Sequence, residues 1–183
     1  MKKKEIRSLF KQKREALSKT ALENHALAIV NRAIYNLELT GKKVSIFLPI
    51  ERFKEINTFY IIDKIDANFY VPVISGEASL KHIRYVSKDQ LEISSWGIPE
   101  PTSGVEIDVR GLDVVFVPLL AVDQRGYRVG YGKGFYDEFL SQCRPDCQFI
   151  GLSYFDPIPL IEDIREEDVK LHACITPVAH FKF

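Results

Sequence analysis

Residues 113–119, Asp-Val-Val-Phe-Val-Pro-Leu, form an apolar run too short for a stable helix, with no polar residue at either parity after Asp113. A strand with one wet face alternates apolar and polar. A strand that is apolar throughout is covered on both faces, which places it inside a parallel sheet sandwiched by helices. Shorter runs of similar character lie at 44–48 (bounded by Pro49), 69–73, 148–153 and 173–176, and residues 81–86 alternate as an edge strand does. Helical periods fall between them. Ile6, Phe10 and Leu17 give an amphipathic helix over 5–17. Ala26, Ile29, Val30, Ala33, Ile34 and Leu37 face inward on a second, opened by a Thr20/Glu23 capping box, running to about Leu39 and stopped by Gly41. Residues 58–65 and 132–142 read as further helices. Residues 97–111, with Gly97, Pro99, Pro101, Gly104 and Gly111, read as a meandering connection. The pattern predicts the α/β class: a single three-layer domain over residues 1–183, its mostly parallel central sheet flanked by helices.

Composition narrows the function. Lys plus Arg and Asp plus Glu number 25 each, so the formal net charge is zero. That gives no support for nucleic acid or a membrane surface as partner. The basic start is followed by Lys11, Lys13 and Arg14 rather than an apolar stretch, which argues against a signal peptide, and no run has the length of a membrane span. Three cysteines, Cys143, Cys147 and Cys174, make an odd number with no further zinc ligands nearby. They read as reduced bystanders in a cytoplasmic protein, and a monomer is the expected state.

The most informative chemistry lies at 123–137. Four of the ten glycines fall within residues 126–134, together with Arg128 and Lys133 and with Arg125 just before. Glycines let the backbone approach a ligand closely, and successive N–H groups make an anion nest. The stretch follows the central strand and precedes a helix, whose start adds positive potential. Such a loop suits a polyphosphate, and Asp137 in the first helical turn suits Mg²⁺. The dinucleotide pattern G-x-G-x-x-G fails, because Gly130 and Gly132 are followed by Gly134 rather than a glycine at 135. The pattern G-x-x-x-x-G-K-[ST] fails because Gly134 follows Lys133. A glycine-rich turn with solvated cations is the alternative that spacing alone allows.

The segment Arg128-Val-Gly130-Tyr131-Gly132-Lys133-Gly134-Phe135-Tyr136-Asp137, behind an apolar strand ending in Pro118, resembles the signature of the 5-formyltetrahydrofolate cyclo-ligase (methenyltetrahydrofolate synthetase) family, and the likeness extends over nearly the whole chain. It implies an ATP site made by Lys3, Arg7, Arg128, Gly130, Gly132, Lys133, Gly134 and Tyr136. Lys3 and Arg7 are four apart and share a helix face; by spacing alone they read as a solvated basic terminus. It implies a folate site made by Leu48, Glu55, Trp96, Tyr131 and Phe135, carried by the matching segments Ser45-Ile46-Phe47-Leu48-Pro49, Glu55-Ile56-Asn57-Thr58 and Ser95-Trp96-Gly97-Ile98-Pro99. Without the likeness, Glu55 is a loop carboxylate and Trp96 a core residue. It implies Mg²⁺ held by Asp137 and Asp168, and catalysis by Lys133, Arg128 and Glu55. Three positions depart from the family pattern. Phe135 stands where Tyr is frequent, Glu166-Glu167 where a Pro-His pair is common, and His172 where Asp is frequent.

The resemblance further implies an ATP- and Mg-dependent ligase that closes 5-formyltetrahydrofolate to 5,10-methenyltetrahydrofolate through a phosphorylated formyl oxygen, releasing ADP and phosphate. Small molecules are then its partners. Glu55 either orients the folate or stabilises the developing cation. Two alternatives are another phosphate-ligand-binding α/β enzyme and a non-catalytic folate-binding protein.

Overall fold

In a computed structural model that describes residues 1–76, 79–95 and 97–183, the chain opens with helices α1 (Lys3–Glu15) and α2 (Lys19–Asn36). Next come β1 (Lys43–Ser45), α3 (Phe59–Lys64), β2 (Asn68–Ile74), β3 (Leu80–Arg84), β4 (Leu91–Ile93), β5 (Pro99–Pro101) and β6 (Glu106–Ile107). The second half contains β7 (Val114–Pro118), β8 (Ala121–Val122), β9 (Arg128–Val129), α4 (Phe135–Ser141), β10 (Gln148–Leu152), β11 (Ala173–Ile175) and β12 (His180–Lys182). Eight strands make the main sheet in the order β12-β11-β10-β7-β1-β2-β3-β6. The five from β11 to β2 are parallel, while β12, β3 and β6 add antiparallel edges.

The central run behaves as its composition requires. Val114 and Phe116 of β7 pack with α2 and α3 residues Ile29, Val30, Ala33 and Ile61. Val115 and Val117 point the other way, toward Phe139 and Leu140 of α4. All four are buried, so the sheet is covered on both sides and the α/β layering expected from the sequence is present. A third apolar cluster joins Ile6 and Phe10 of α1 to Ala121 and Val129 of the β8–β9 hairpin and to Ile161. It seats α1 beside the glycine loop.

Several boundaries moved, for physical reasons. Helix α2 is capped by Ser18, whose hydroxyl accepts from Ala21 N–H at 3.1 Å, so Thr20 lies inside the helix rather than at its cap. The same helix stops at Asn36, and Ile34 is exposed. Helix α4 starts at Phe135, three residues later than expected, because Gly132 and Gly134 take φ of 92° and 80°, outside the helical region. Strand β3 is not an edge, since Glu106-Ile107 within the expected connection pairs with it.

His82 of β3 is fully buried, its ring 4.2 Å from that of Phe139, and neither ring nitrogen has a partner among the described residues. Burial pulls its pKa from 6.5 down to about 4. The unfolded chain therefore takes up a proton that the folded chain refuses, and stability is lost as pH falls from 6.5 toward 4. That is about 2 kcal/mol between pH 7 and pH 5. Urea midpoints of the native chain and His82→Leu at the two pH values should differ by that smaller acid sensitivity in the variant. Equal losses would contradict a neutral buried imidazole.

Candidate active site

Along the sheet, β2 lies on one side of β1 and β7 on the other, so the chain reverses its direction of build between β1 and β7. Loops leaving the carboxyl ends of two such strands diverge and open a crevice. Here the segment after β1 (residues 46–58) meets the segment after β7 (residues 119–137). The Phe53 ring stacks on Tyr131 with centroids 4.9 Å apart, and the Glu55 carboxylate and Tyr131 hydroxyl are electrostatic neighbours.

The β7 side is organised by Asp123, which is fully buried. Its carboxylate accepts from the backbone N–H groups of Arg125 (3.0 Å), Tyr127 (3.0 Å) and Ile161 (3.1 Å) and pairs with the Arg125 guanidinium at 2.8 Å. Arg125 also donates to Ile161 O. It thus supports the β8–β9 turn instead of adding a third cation to the glycine loop. An Asp that opens a tight turn ahead of a glycine is a known local signal, and the sequence reading gave Asp123 no role.

Arg128 is the buried cation of the loop, with a side chain 6% exposed. It donates to Asp137 Oδ1 at 2.7 Å and to Val169 O at 2.5 Å, while Val169 N–H donates to the same Oδ1. Burial lowers its pKa, opposed first by the charge of Asp137 and also by that of Asp168. A guanidinium remains charged under such a shift. The two carboxylates expected to hold a metal therefore flank one guanidinium. Asp168 is drawn in, 14% exposed, by the Lys3 ammonium and by Arg165 N–H, whereas its neighbours Glu166 and Glu167 are exposed. Asp163 accepts from Lys3 N–H and so caps α1. The acidic stretch is thus tied to the start of α1. His172 takes no part in this cluster: its Nδ1 accepts from Phe149 N–H at 2.9 Å.

Arg7, one turn after Lys3, donates through Nε to Gly130 O at 2.9 Å. A Cβ on Gly132 would sit 3.2 Å from the Arg7 guanidinium carbon. With φ at 92° as well, Gly132→Ala should lower stability by about 1–3 kcal/mol and displace Arg7. Calorimetric melting checks the loss, and native-like melting in Gly132→Ala would mean that the loop accepts a Cβ at this position.

Lys133 is exposed on the loop. Gly134 caps α4 with positive φ, Phe135 is half-buried at its first position, and the Tyr136 ring meets Phe139 edge-on at 6.0 Å. Burial raises the Tyr136 hydroxyl pKa. Leu48 is buried in the α2-side core, so any face it shows a ligand is small. Glu55 accepts from Ile50 N–H at 2.9 Å. Its pKa is raised by burial, opposed by that N–H, by the Tyr131 hydroxyl and by Arg14. Trp96 lies outside the described residues. The structure thus brings Lys3, Arg7, Arg128, Gly130, Gly132, Asp137 and Asp168 into one cluster, and Glu55 with Tyr131 into an adjoining one.

Arg14 is a residue that the sequence reading passed over. It continues the stripe Ile6–Phe10 at four-residue spacing. A cation on an apolar stripe was the available signal.

A scan against protein-family models matches residues 1–177 to the 5-formyltetrahydrofolate cyclo-ligase family. The chain belongs to this family. The mouse 5-formyltetrahydrofolate cyclo-ligase is 31% identical over 153 residues, covering 75% of this chain and 73% of the mouse protein. The Haemophilus influenzae cyclo-ligase is 30% identical over 164 residues, covering 84% and 86%. The solved structure of Aquifex aeolicus 5,10-methenyltetrahydrofolate synthetase superimposes with a TM-score of 0.84 at 25% identity, covering 100% of this chain and 93% of that one. Membership makes this chain an enzyme of folate one-carbon metabolism, a ligase that uses ATP. No helix among the described residues is long and apolar enough to cross a membrane.

Proposed function

We propose that the loops at the carboxyl ends of β1 and β7 bind MgATP on their Arg128–Asp137 side and 5-formyltetrahydrofolate on their Glu55–Tyr131 side, and couple ATP cleavage to ring closure. The observation that supports this most is the meeting of α1 with the glycine loop, where Lys3, Arg7 and Arg128 gather beside Asp137 and Asp168.

A formamide carbon is a weak electrophile because its oxygen leaves poorly. In the proposed sequence the formyl oxygen attacks the γ-phosphorus, a P–O bond forms, and the bond to ADP breaks. The N5 lone pair then makes an iminium phosphate. N10 attacks that carbon and loses its proton, and the C–O bond breaks with phosphate leaving, giving 5,10-methenyltetrahydrofolate. Phosphoryl transfer depends mainly on alignment and charge neutralisation. Arg128, held rigidly by its carboxylate and carbonyl partners, and Lys133 supply fixed positive charge for the phosphoryl oxygens. Arg7 and Lys3 hold the polyphosphate from α1, with Gly130, Gly132, Gly134 and Tyr136 bordering it. Leu48, Tyr131 and Phe135 line the folate, a role the family likeness also gives Trp96, and holding N10 near the formyl carbon raises its effective concentration. Glu55 orients N10 and offsets the amidinium charge.

Two carboxylates beside phosphate-binding cations fit Mg²⁺, which keeps waters and takes substrate phosphate oxygens instead of an all-protein cage. Asp137 and Asp168 would hold it. When bound it would supply charge neutralisation to the phosphoryl oxygens. Residues 1–183 are proposed to act as one domain and a monomer. Three free thiols, Cys143, Cys147 and Cys174, fit the expected cytoplasmic location.

Formyl-¹⁸O substrate tests the phosphorylated intermediate. Mass spectrometry should find one ¹⁸O per phosphate released. Unlabelled phosphate would overturn the mechanism.

A further inference from the structure

We infer that Arg14 is a positioning residue for ring closure, holding the Tyr131 hydroxyl against Glu55 from the helix opposite the glycine loop. Arg14 is 4% exposed. Its Nη1 donates to Tyr131 Oη at 2.9 Å, and its Nη2 donates at 2.5 Å to Leu119 O, just beyond β7. The guanidinium lies 5.7 Å from the centre of the Tyr154 ring. Its Nε has no partner among the described residues. Burying a guanidinium with an unsatisfied N–H is costly, and a leucine would serve the α1 stripe better if packing were the only need.

The direction of the chain of hydrogen bonds is fixed. A guanidinium has no acceptor, so the Tyr131 oxygen must accept from Arg14, which turns the hydroxyl proton away from Arg14 and leaves it for an acceptor, with the Glu55 carboxylate its electrostatic neighbour. Stacking on Phe53 fixes the tyrosine ring plane. Four side chains bear on the Glu55 carboxylate: Arg14 from α1, Tyr131 from the loop, Tyr136 from α4 and Tyr154 after β10. Burial holds the three tyrosines un-ionised, with Tyr154 pushed up to about 12. Arg14 is the one cation of the four, and it opposes the effect of burial on Glu55. Arg14 thereby sets the place of the loop's aromatic edge beside the carboxylate. This inference rests on the folate-side reading of Glu55 and Tyr131.

The test is a double-mutant cycle with Arg14→Met and Tyr131→Phe, read by steady-state kinetics and by calorimetric MgATP binding. Arg14→Met should lower kcat/KM for 5-formyltetrahydrofolate about 10- to 100-fold and leave the MgATP Kd within about twofold, the size of a charged hydrogen bond's loss. The double variant should lose no more than the worse single one, and Arg14→Lys should recover part of the loss. Native kcat/KM in folded Arg14→Met, or losses that multiply in the double variant, would overturn the inference. If Arg14→Met does not fold, Arg14→Lys replaces it in the cycle with a smaller loss of kcat/KM expected, and native kcat/KM or losses that multiply with Tyr131→Phe again overturn the inference. A native chain that turns over no 5-formyltetrahydrofolate overturns the folate-side reading and this inference together; native turnover with an indifferent Arg14 overturns the inference alone.

Discussion

Lys133→Ala is expected to reduce kcat/KM by about 10²–10³-fold, the range seen when one preorganised charge donor is removed from a transition state. The residue is exposed on the glycine loop, between Gly132 and Gly134, and in the proposed mechanism its ammonium meets the phosphates. The melting temperature should therefore stay within about 2 °C, as surface substitutions usually contribute less than about 0.5 kcal/mol. The loss should fall on kcat more than on folate binding, because the charge is needed most as the γ-phosphoryl group transfers. Stopped-flow absorbance with saturating 5-formyltetrahydrofolate separates the two. A loss below about threefold would remove Lys133 from phosphoryl transfer.

Arg128→Ala should combine a catalytic defect at least as large with a loss of stability. The side chain is nearly enclosed, and its removal leaves Val169 O without its donor and Asp137 without its cation. Breaking such a pair is worth about 2–4 kcal/mol, less than for a fully buried pair because the Asp137 side chain is 30% exposed. In a chain of this length that lowers the melting temperature by roughly 10 °C. Arg128→Lys keeps a charge but lacks the two-pronged geometry that serves Asp137 and Val169 together, so it should recover only part of either quantity. Calorimetric melting and turnover measured on the same preparations check both. Native-like melting in Arg128→Ala would mean that the Asp137–Val169 cluster is held by other contacts.

The layered fold was legible because it rests on short apolar runs. Residues 114–117 carry their burial in composition alone, and the alternation of such runs with helical periods is enough to place them in a parallel sheet. The antiparallel additions were less legible. β6 has only two residues and β8–β9 two each, too short to show a period against the turn residues around them. The start of α4 was misplaced because tight glycine geometry, not apolar spacing, delays the helix.

In the site, the glycine loop announced itself by composition, but the neighbours that fix its geometry did not. Asp123 and Arg14 do their work through burial and hydrogen bonds to residues distant in sequence: Asp123 to Ile161, and Arg14 to Leu119 and Tyr131. A charged residue looks solvated in sequence until the fold shows what encloses it. The same holds for Asp168, indistinguishable from Glu166 and Glu167 by type yet drawn to Lys3 across 165 positions.

The most direct test of the central claim mixes the purified chain with 5-formyltetrahydrofolate and follows the near-ultraviolet absorbance of the methenyl product with and without ATP and Mg²⁺. Product is expected only when both are present, with one ADP per ring closed and a rate that collapses in Lys133→Ala. Folded protein that forms no product, or forms it equally well without ATP, would contradict that claim.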